Sequence, residues 1–245
     1  MSGFASLLSS SLKIASLDLC ADEYLLMFAA PDQVASVSFL SRDEAESPLA
    51  AKAQAFPAND GTVESVVRHR PDIFLTTRSL GGAPAQIADR MGMRVVTLPY
   101  ADSPRAVAKN VRMVTSLTGR HNAASQWQQR LSRLVTNAPS QRRSTLVISA
   151  GGLGVGPATD SWLGYAGLDA IASRPGLSFV EQIALARPDI ILQSRYRADQ
   201  YSRNTEWQRH PLTRRLAGQR ITVDGRAWTC SGPLMLGEIE RLQQR

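Results

Sequence analysis

At 245 residues, with 43% hydrophobic and 20% charged residues, the chain has the apolar content for one large or two modest domains with real cores, which excludes a disordered polymer. The formal charge of +7 rests almost wholly on arginine, since lysine occurs only at positions 13, 52 and 109. Those arginines are scattered, no run of five basic residues occurs and no nucleic-acid motif accompanies them, so nucleic acid is set aside as a partner.

Residues 1 to 12 are Ser-rich and briefly apolar, with no positive charge before Lys13 and no cleavage site. They read either as a cytoplasmic start or as the remainder of a secretory leader. No apolar stretch approaches the length that spans a bilayer. Lys13 to Leu17 is predicted as the first strand, Ala21 to Ala30 as a helix ended by Pro31, and Gln33 to Phe39 as the second strand. Residues 41 to 61, closed by Asn59-Asp60-Gly61, read as a loop with about one helical turn.

The segment Glu64-Ser-Val-Val-Arg-His-Arg70-Pro71-Asp72-Ile73-Phe-Leu75 then recurs in register as Glu181-Gln-Ile-Ala-Leu-Ala-Arg187-Pro188-Asp189-Ile190-Ile-Leu192, and the same offset aligns Arg78 with Arg195. Each copy reads as a short helix stopped by proline and followed by a continuous apolar run, the pattern of a parallel strand covered on both faces. Two copies imply two similar α/β lobes. A helix near Ala83 to Met91 and a strand from Arg94 to Leu98 complete the first, spanning residues 13 to 101.

Residues 102 to 142 form a crossover. Ser103-Pro104 starts one helix, ended at Gly119, and a more polar helical pattern from about Asn122 to Val135 suits a rigid connector. Residues 143 to 245 form the second lobe: strand Thr145 to Ser149, a glycine-rich turn at 151 to 156, a helix from Asp160 to Ala166, the second repeat copy, a helix from Glu206 to Leu216, strand Arg220 to Val223 and a helix from Pro233. The turn lacks the spacing and later acidic residue of a dinucleotide site, and reads as a tight loop that leaves room for a ligand.

Ligands of open α/β sheets lie beyond the carboxyl ends of the strands, which places Arg78 and Arg195 toward a site. Two guanidiniums from opposite lobes could clamp an anionic oxygen; equally, they could be strand-end arginines neutralised by Asp18, Asp22 or Asp199. Arg42 is a third candidate. Phe39, Tyr100, Trp162, Tyr196 and Trp228 fall at or after predicted strand ends and are candidate apolar walls, with core packing the alternative, favoured for Phe39 and Trp162. His69, His121 and His210 are not spaced with carboxylates as a metal cage requires, so no resident metal or cofactor is expected. Three roles stay open to Cys20 and Cys230: inert thiols, which is the default, a lobe-locking disulfide, or joint ligation of a soft metal. No nucleophile elbow or catalytic triad pattern stands out.

The paired Glu-x6-Pro-Asp segments, the Ser16-Leu17-Asp18-Leu19-Cys20 opening and the closing Trp228-Thr229-Cys230-Ser231-Gly232-Pro233 resemble the substrate-binding proteins of iron-siderophore and vitamin B12 ABC importers, from about Lys13 to the end. The resemblance implies two Rossmann-like lobes with mostly parallel sheets, bridged by one long helix, around an interlobe cleft. It implies a periplasmic monomer, not an enzyme, whose partners are a metal chelate carrying its own iron or cobalt and an inner-membrane permease. It gives Glu64 and Glu181 a role in docking to permease arginines, against the plainer one of favouring a helix dipole. Ala58, Thr77 and Pro175 stand where the vitamin B12 branch carries cleft tryptophans, which puts a ferric siderophore ahead of cobalamin. The rival classes are an enzyme on a similar scaffold, such as a metal chelatase, and a non-secreted sensor of the same fold.

Overall fold

The computed structural model describes residues 12–149, 152–196 and 203–245, so most of the N-terminal segment lies outside the described residues. The described strands form two separate sheets, one per lobe. In lobe one, β1 (Ile14–Ser16), β2 (Val34–Ser38), β3 (Ala58–Asn59), β4 (Ile73–Thr76) and β5 (Arg94–Thr97) are all parallel, in the order β3-β2-β1-β4-β5. In lobe two, β6 (Arg143–Ser149), β7 (Gly152–Leu153), β8 (Leu168–Ala170), β9 (Ile190–Arg195) and β10 (Gln219–Asp224) run β10-β9-β6, with β8 parallel and β7 antiparallel to β6.

The repeated Pro-Asp pair acquires a physical meaning here. Asp72 Oδ2 accepts the Lys13 backbone N–H at 2.8 Å while the Asp72 N–H donates to Lys13 O at 2.8 Å. In lobe two Asp189 does the same to Ser144, both distances being 2.9 Å. Each aspartate thus pins the start of its lobe's central strand and fixes the registers Ile14↔Ile73 and Thr145↔Ile190. Arg70, barred from helical geometry by Pro71, takes φ 47°.

Both sheets are covered on both faces, as continuous apolar strands require. Ile73 and Leu75 of β4, with Ile190 and Leu192 of β9, enter one core that unites the lobes through the helices Pro104–Thr118, His121–Thr136 and Met235–Gln243. The alternate residues face outward into separate small cores, Phe74 beneath the helix Val63–Val67 and Ile191 beneath the helix Phe179–Leu185. The helix predicted from Glu206 to Leu216 is broken instead into a 3-10 segment, Arg203–Arg209, and a short helix, Pro211–Arg215. Pro211 has no N–H to continue the ladder, and His210 caps the new start by accepting the Leu212 N–H on Nδ1.

Lobe junction and cross-link meet at residues 230–234. Cys230 is disulfide-bonded to Cys20 on the first helix, Leu19–Phe28. One turn on, Glu23 Oε1 accepts the Leu234 N–H at 2.6 Å, and Gly232 lies so close that a Cβ there would sit 2.8 Å from that oxygen. Trp127 of the connector donates to Pro233 O, and Trp162 of lobe two donates to Ser231 O. The default reading of the cysteines as free thiols, and their ligation of a metal, are both corrected: the repeat architecture carries the first helix of lobe one against the last loop of lobe two, within bonding reach.

Reducing this cross-link, or the double substitution Cys20→Ser/Cys230→Ser, is expected to lower stability by about 2–5 kcal/mol, read as a fall in Tm on the order of 10 °C. Burial pushes the carboxyls of Asp22 and Glu23 up to about 7 and about 8. Folding therefore favours their protonated forms, and the stability this supplies, complete below about pH 4, is lost as pH rises through 7 and 8. Thermal unfolding followed across that window should show Tm falling toward alkaline pH, with a shallower fall in Glu23→Gln.

Candidate functional site

In each lobe the strand order reverses between the central strand and its repeat partner, β1 beside β4 and β6 beside β9, where a crevice opens beyond the carboxyl ends. Lobe one fills its crevice with its own side chains. Asp18 accepts hydrogen bonds from the Ala21 N–H, the Thr76 hydroxyl, and both the N–H and hydroxyl of Thr77, at 2.8–2.9 Å. Behind it, buried Asp22 takes the hydroxyls of Ser16 and Ser38.

Lobe two leaves the equivalent place open as a cavity of about 650 Å³. Its walls are Val147 and Ser149 of β6, Ser194 and Tyr196 at the end of β9, the turn Gly152 to Gly156, and Trp228 with Thr229. The glycine turn does what its composition suggested and leaves space, although residue 151 lies outside the described residues. Gly152, at φ 125°, also passes over Phe179, where a Cβ would come within 2.8 Å of the ring.

Lobe one reaches across the mouth of this cavity. The Tyr196 hydroxyl donates to Glu46 Oε2, and Arg226, paired to Asp224 through Nε and Nη2, donates from Nη1 to Glu44 O at 2.5 Å. The loop around residues 43–48 therefore closes one side of the cleft. Burial, and then the nearby charge of Asp43, pushes the Tyr196 phenol up.

Of the candidate residues, Tyr196 and Trp228 come together in the cavity wall. Trp228 is buried, and its indole N–H finds no acceptor among the described residues. Arg195 lies between two lining residues, Ser194 and Tyr196, so the two-residue period of the strand turns its exposed side chain to the opposite face. Arg78 is exposed on lobe one, with Nη2 3.5 Å from Leu17 O. Arg78 and Arg195 are not brought together around the cavity. The acids named as their neutralising partners are engaged elsewhere in the case of Asp18 and Asp22, and Asp199 lies outside the described residues. Arg42 braces its own loop through Gln54, 3.0 Å away. Trp162 has no exposed surface and is a core residue, whereas Phe39 and Tyr100 are exposed on lobe one and do not line the cavity.

Glu64 and Glu181 are both exposed in the first turns of their helices, which begin at the carboxyl ends of the strands and so share the mouth side of the molecule. They differ in partners. Glu181 forms a capping box with Ser178, whose N–H and hydroxyl both reach Oε2 at 2.7 Å and hold the carboxyl below its usual range. Glu64 makes no hydrogen bond or ion pair among the described residues. Sequence reasoning missed Ser149, Asp160 and Ser173 in the wall, and the Glu46 contact. Only the glycine turn signalled this side of lobe two.

The family model described as periplasmic binding protein matches residues 14–175. The chain belongs to that family. It is a binding protein and not an enzyme. Among solved structures, the periplasmic heme-binding protein HutB of Vibrio cholerae superposes with a TM-score of 0.72 at 18% identity, covering 96% of this chain and 98% of that one. The periplasmic vitamin B12-binding protein BtuF of Vibrio cholerae gives 0.65 at 18% identity, with 96% of each chain covered. FhuD2 from Staphylococcus aureus gives 0.66 at 15%, covering 95% and 97%. No curated protein matches the chain significantly in sequence.

Ala172→Trp, which fills the cavity from its exposed rim, is expected to weaken chelate binding at least about tenfold with Tm unchanged. Arg195→Ala is expected to leave it unaltered. Tryptophan fluorescence titration of both variants with hemin, cyanocobalamin and a ferric hydroxamate checks this.

Proposed function

We propose that this chain is the substrate-binding component of an ABC importer, capturing a metal chelate between its lobes in the periplasm and delivering it to an inner-membrane permease. The observation that carries the proposal is the cavity beyond β6 and β9, which matches the 300–1,000 Å³ range typical of small-molecule sites and is walled by Trp228 and Tyr196 under a loop of lobe one. Among the described residues no group of three or more His, Cys, Asp and Glu stands where it could hold a metal ion. In this reading the ligand brings its metal already chelated. The Cys20–Cys230 disulfide suits an oxidising compartment such as the periplasm.

A ferric siderophore is placed ahead of cobalamin, because Thr77, at one position where the vitamin B12 branch carries a tryptophan, is committed to Asp18. Heme is the second reading, favoured by the likeness to the heme-binding protein HutB of Vibrio cholerae and to a periplasmic heme-binding protein from Pseudomonas aeruginosa, which superposes at a TM-score of 0.67 and 20% identity. Glu64 and Glu181 are proposed as the permease contacts, one per lobe, where paired charges set register and encounter more than affinity. The protein acts as a monomer in this scheme.

The double substitution Glu64→Gln/Glu181→Gln keeps a side chain able to cap the second helix. It is expected to leave chelate binding unchanged and to reduce uptake at least about tenfold in vesicles carrying the cognate permease. Unimpaired uptake would remove both residues from the docking surface.

A further inference from the structure

The side chains that line the cavity share a chemical bias. Asp160 is the one charged residue among the described lining residues, and its side chain is exposed to that space. The lining hydroxyls have mostly spent their protons within the protein. Ser149 donates to Gly152 O at 3.4 Å, Ser173 to Gln182 Oε1 at 3.2 Å, Thr229 to Gly225 O at 3.3 Å, and Tyr196 to Glu46. A hydroxyl has a single proton to donate and two lone pairs to offer, so Ser149, Ser173 and Thr229 keep acceptor capacity toward the cavity. The rim continues the bias, since Asp43 is near enough to perturb Tyr196 and the guanidinium of Arg226 is held by Asp224 and Glu44 O.

We infer that the cavity selects chelates that carry no net negative charge and present N–H or ammonium donors, and that Asp160 sets this preference. The inference rests on the importer reading and narrows its substrate class. An anionic oxygen placed against Asp160 meets like charge and finds no side-chain cation among the described lining residues, whereas an amide or ammonium group finds the acceptors that the spent hydroxyls and the carboxylate supply. Asp160 also stands in the first turn of the helix Pro157–Leu163, a placement that accounts for a small effect on helix stability but not for ligand selection.

The test uses the full chain and a series that holds the metal core constant. A linear ferric tris-hydroxamate with a terminal ammonium, its N-acetyl derivative and its N-succinyl derivative differ only in end-group charge. Cyanocobalamin and its monocarboxylic acid form a second series of neutral against anionic. Fluorescence titration is expected to rank ammonium and acetyl forms above the succinyl form by about tenfold or more, and the amide corrinoid above its acid. Asp160→Asn should compress either spread to within about threefold, an effect that loss of a helix-end charge alone does not produce. Equal or tighter binding of the anionic members, or a spread unmoved in Asp160→Asn, overturns the inference. Hemin, with its two propionates, separates the two levels: if it binds tightest the importer reading stands and the charge inference falls. If no hydroxamate, corrinoid or hemin binds to a protein that unfolds cooperatively, both fall together.

Discussion

A parallel strand buried on both faces leaves its side chains only two directions, and that constraint decides most of this molecule. In β4 and β9 one parity of residues builds the core shared by the lobes, and the other builds a small private core beneath the repeat helix. The same alternation runs past the last buried residue into the site. Because Leu192 faces the shared core, Ser194 and Tyr196 fall on the cavity side and Arg195 cannot. Aspartates 72 and 189 fix the axial register on which this parity acts, since each fastens the beginning of the central strand to the beginning of its repeat partner. A one-residue slip would exchange the two faces, turn Arg195 toward the cavity and take Ile190 out of the shared core.

The two lobes are less independent than their separate sheets suggest. Their inner faces share one core, and residues 230–234 are held at once by the first helix, the connector and lobe two. Swinging the lobes apart would have to break a covalent bond and expose the buried carboxyl of Glu23. Ligand entry therefore belongs to the opposite side, where the loop at 43–48 meets lobe two through the hydroxyl of Tyr196 and the guanidinium of Arg226. Of those groups Tyr196 and Arg226 are partly exposed and Glu46 is buried, and opening there breaks hydrogen bonds where opening the junction would break a covalent bond as well.

The repeat made the fold legible, because helix, proline and apolar run each carry a local physical signal that survives without tertiary context. Short strands did not announce themselves: Ala58–Asn59, Gly152–Leu153 and Leu168–Ala170 exist because a neighbour offers them hydrogen bonds, not because their residues favour extension. The site was half legible. Trp228 and Tyr196 could be placed at strand ends, but the parity that separates Tyr196 from Arg195 depends on where the buried run begins, which neighbouring residues alone do not fix. The pairing of Cys20 with Cys230 stayed one of three open roles for a different reason, since no local pattern decides a contact between elements 210 residues apart. Asp18 was legible as a polar residue near a strand end, and only the three-dimensional arrangement shows that it plugs lobe one and so leaves binding to lobe two.

The net charge of +7 and the chemistry of the cavity point in opposite directions, and the two belong to different steps. A positive field summed over the whole surface governs encounter, and it falls away over about 8 Å at physiological ionic strength. Selection is made by the few groups within hydrogen-bond reach of the ligand, and there the described wall offers mostly lone pairs and one carboxylate. Among the described residues around the cleft, Arg195 sits outward by parity, Arg226 is occupied by Asp224 and Arg42 by Gln54. Reading the ligand's charge from the composition would therefore invert it. Asp160 and the few acceptors in contact with a ligand can outweigh seven units of formal charge, because those units are summed over a whole surface and screened by salt, whereas contact groups act at hydrogen-bond range.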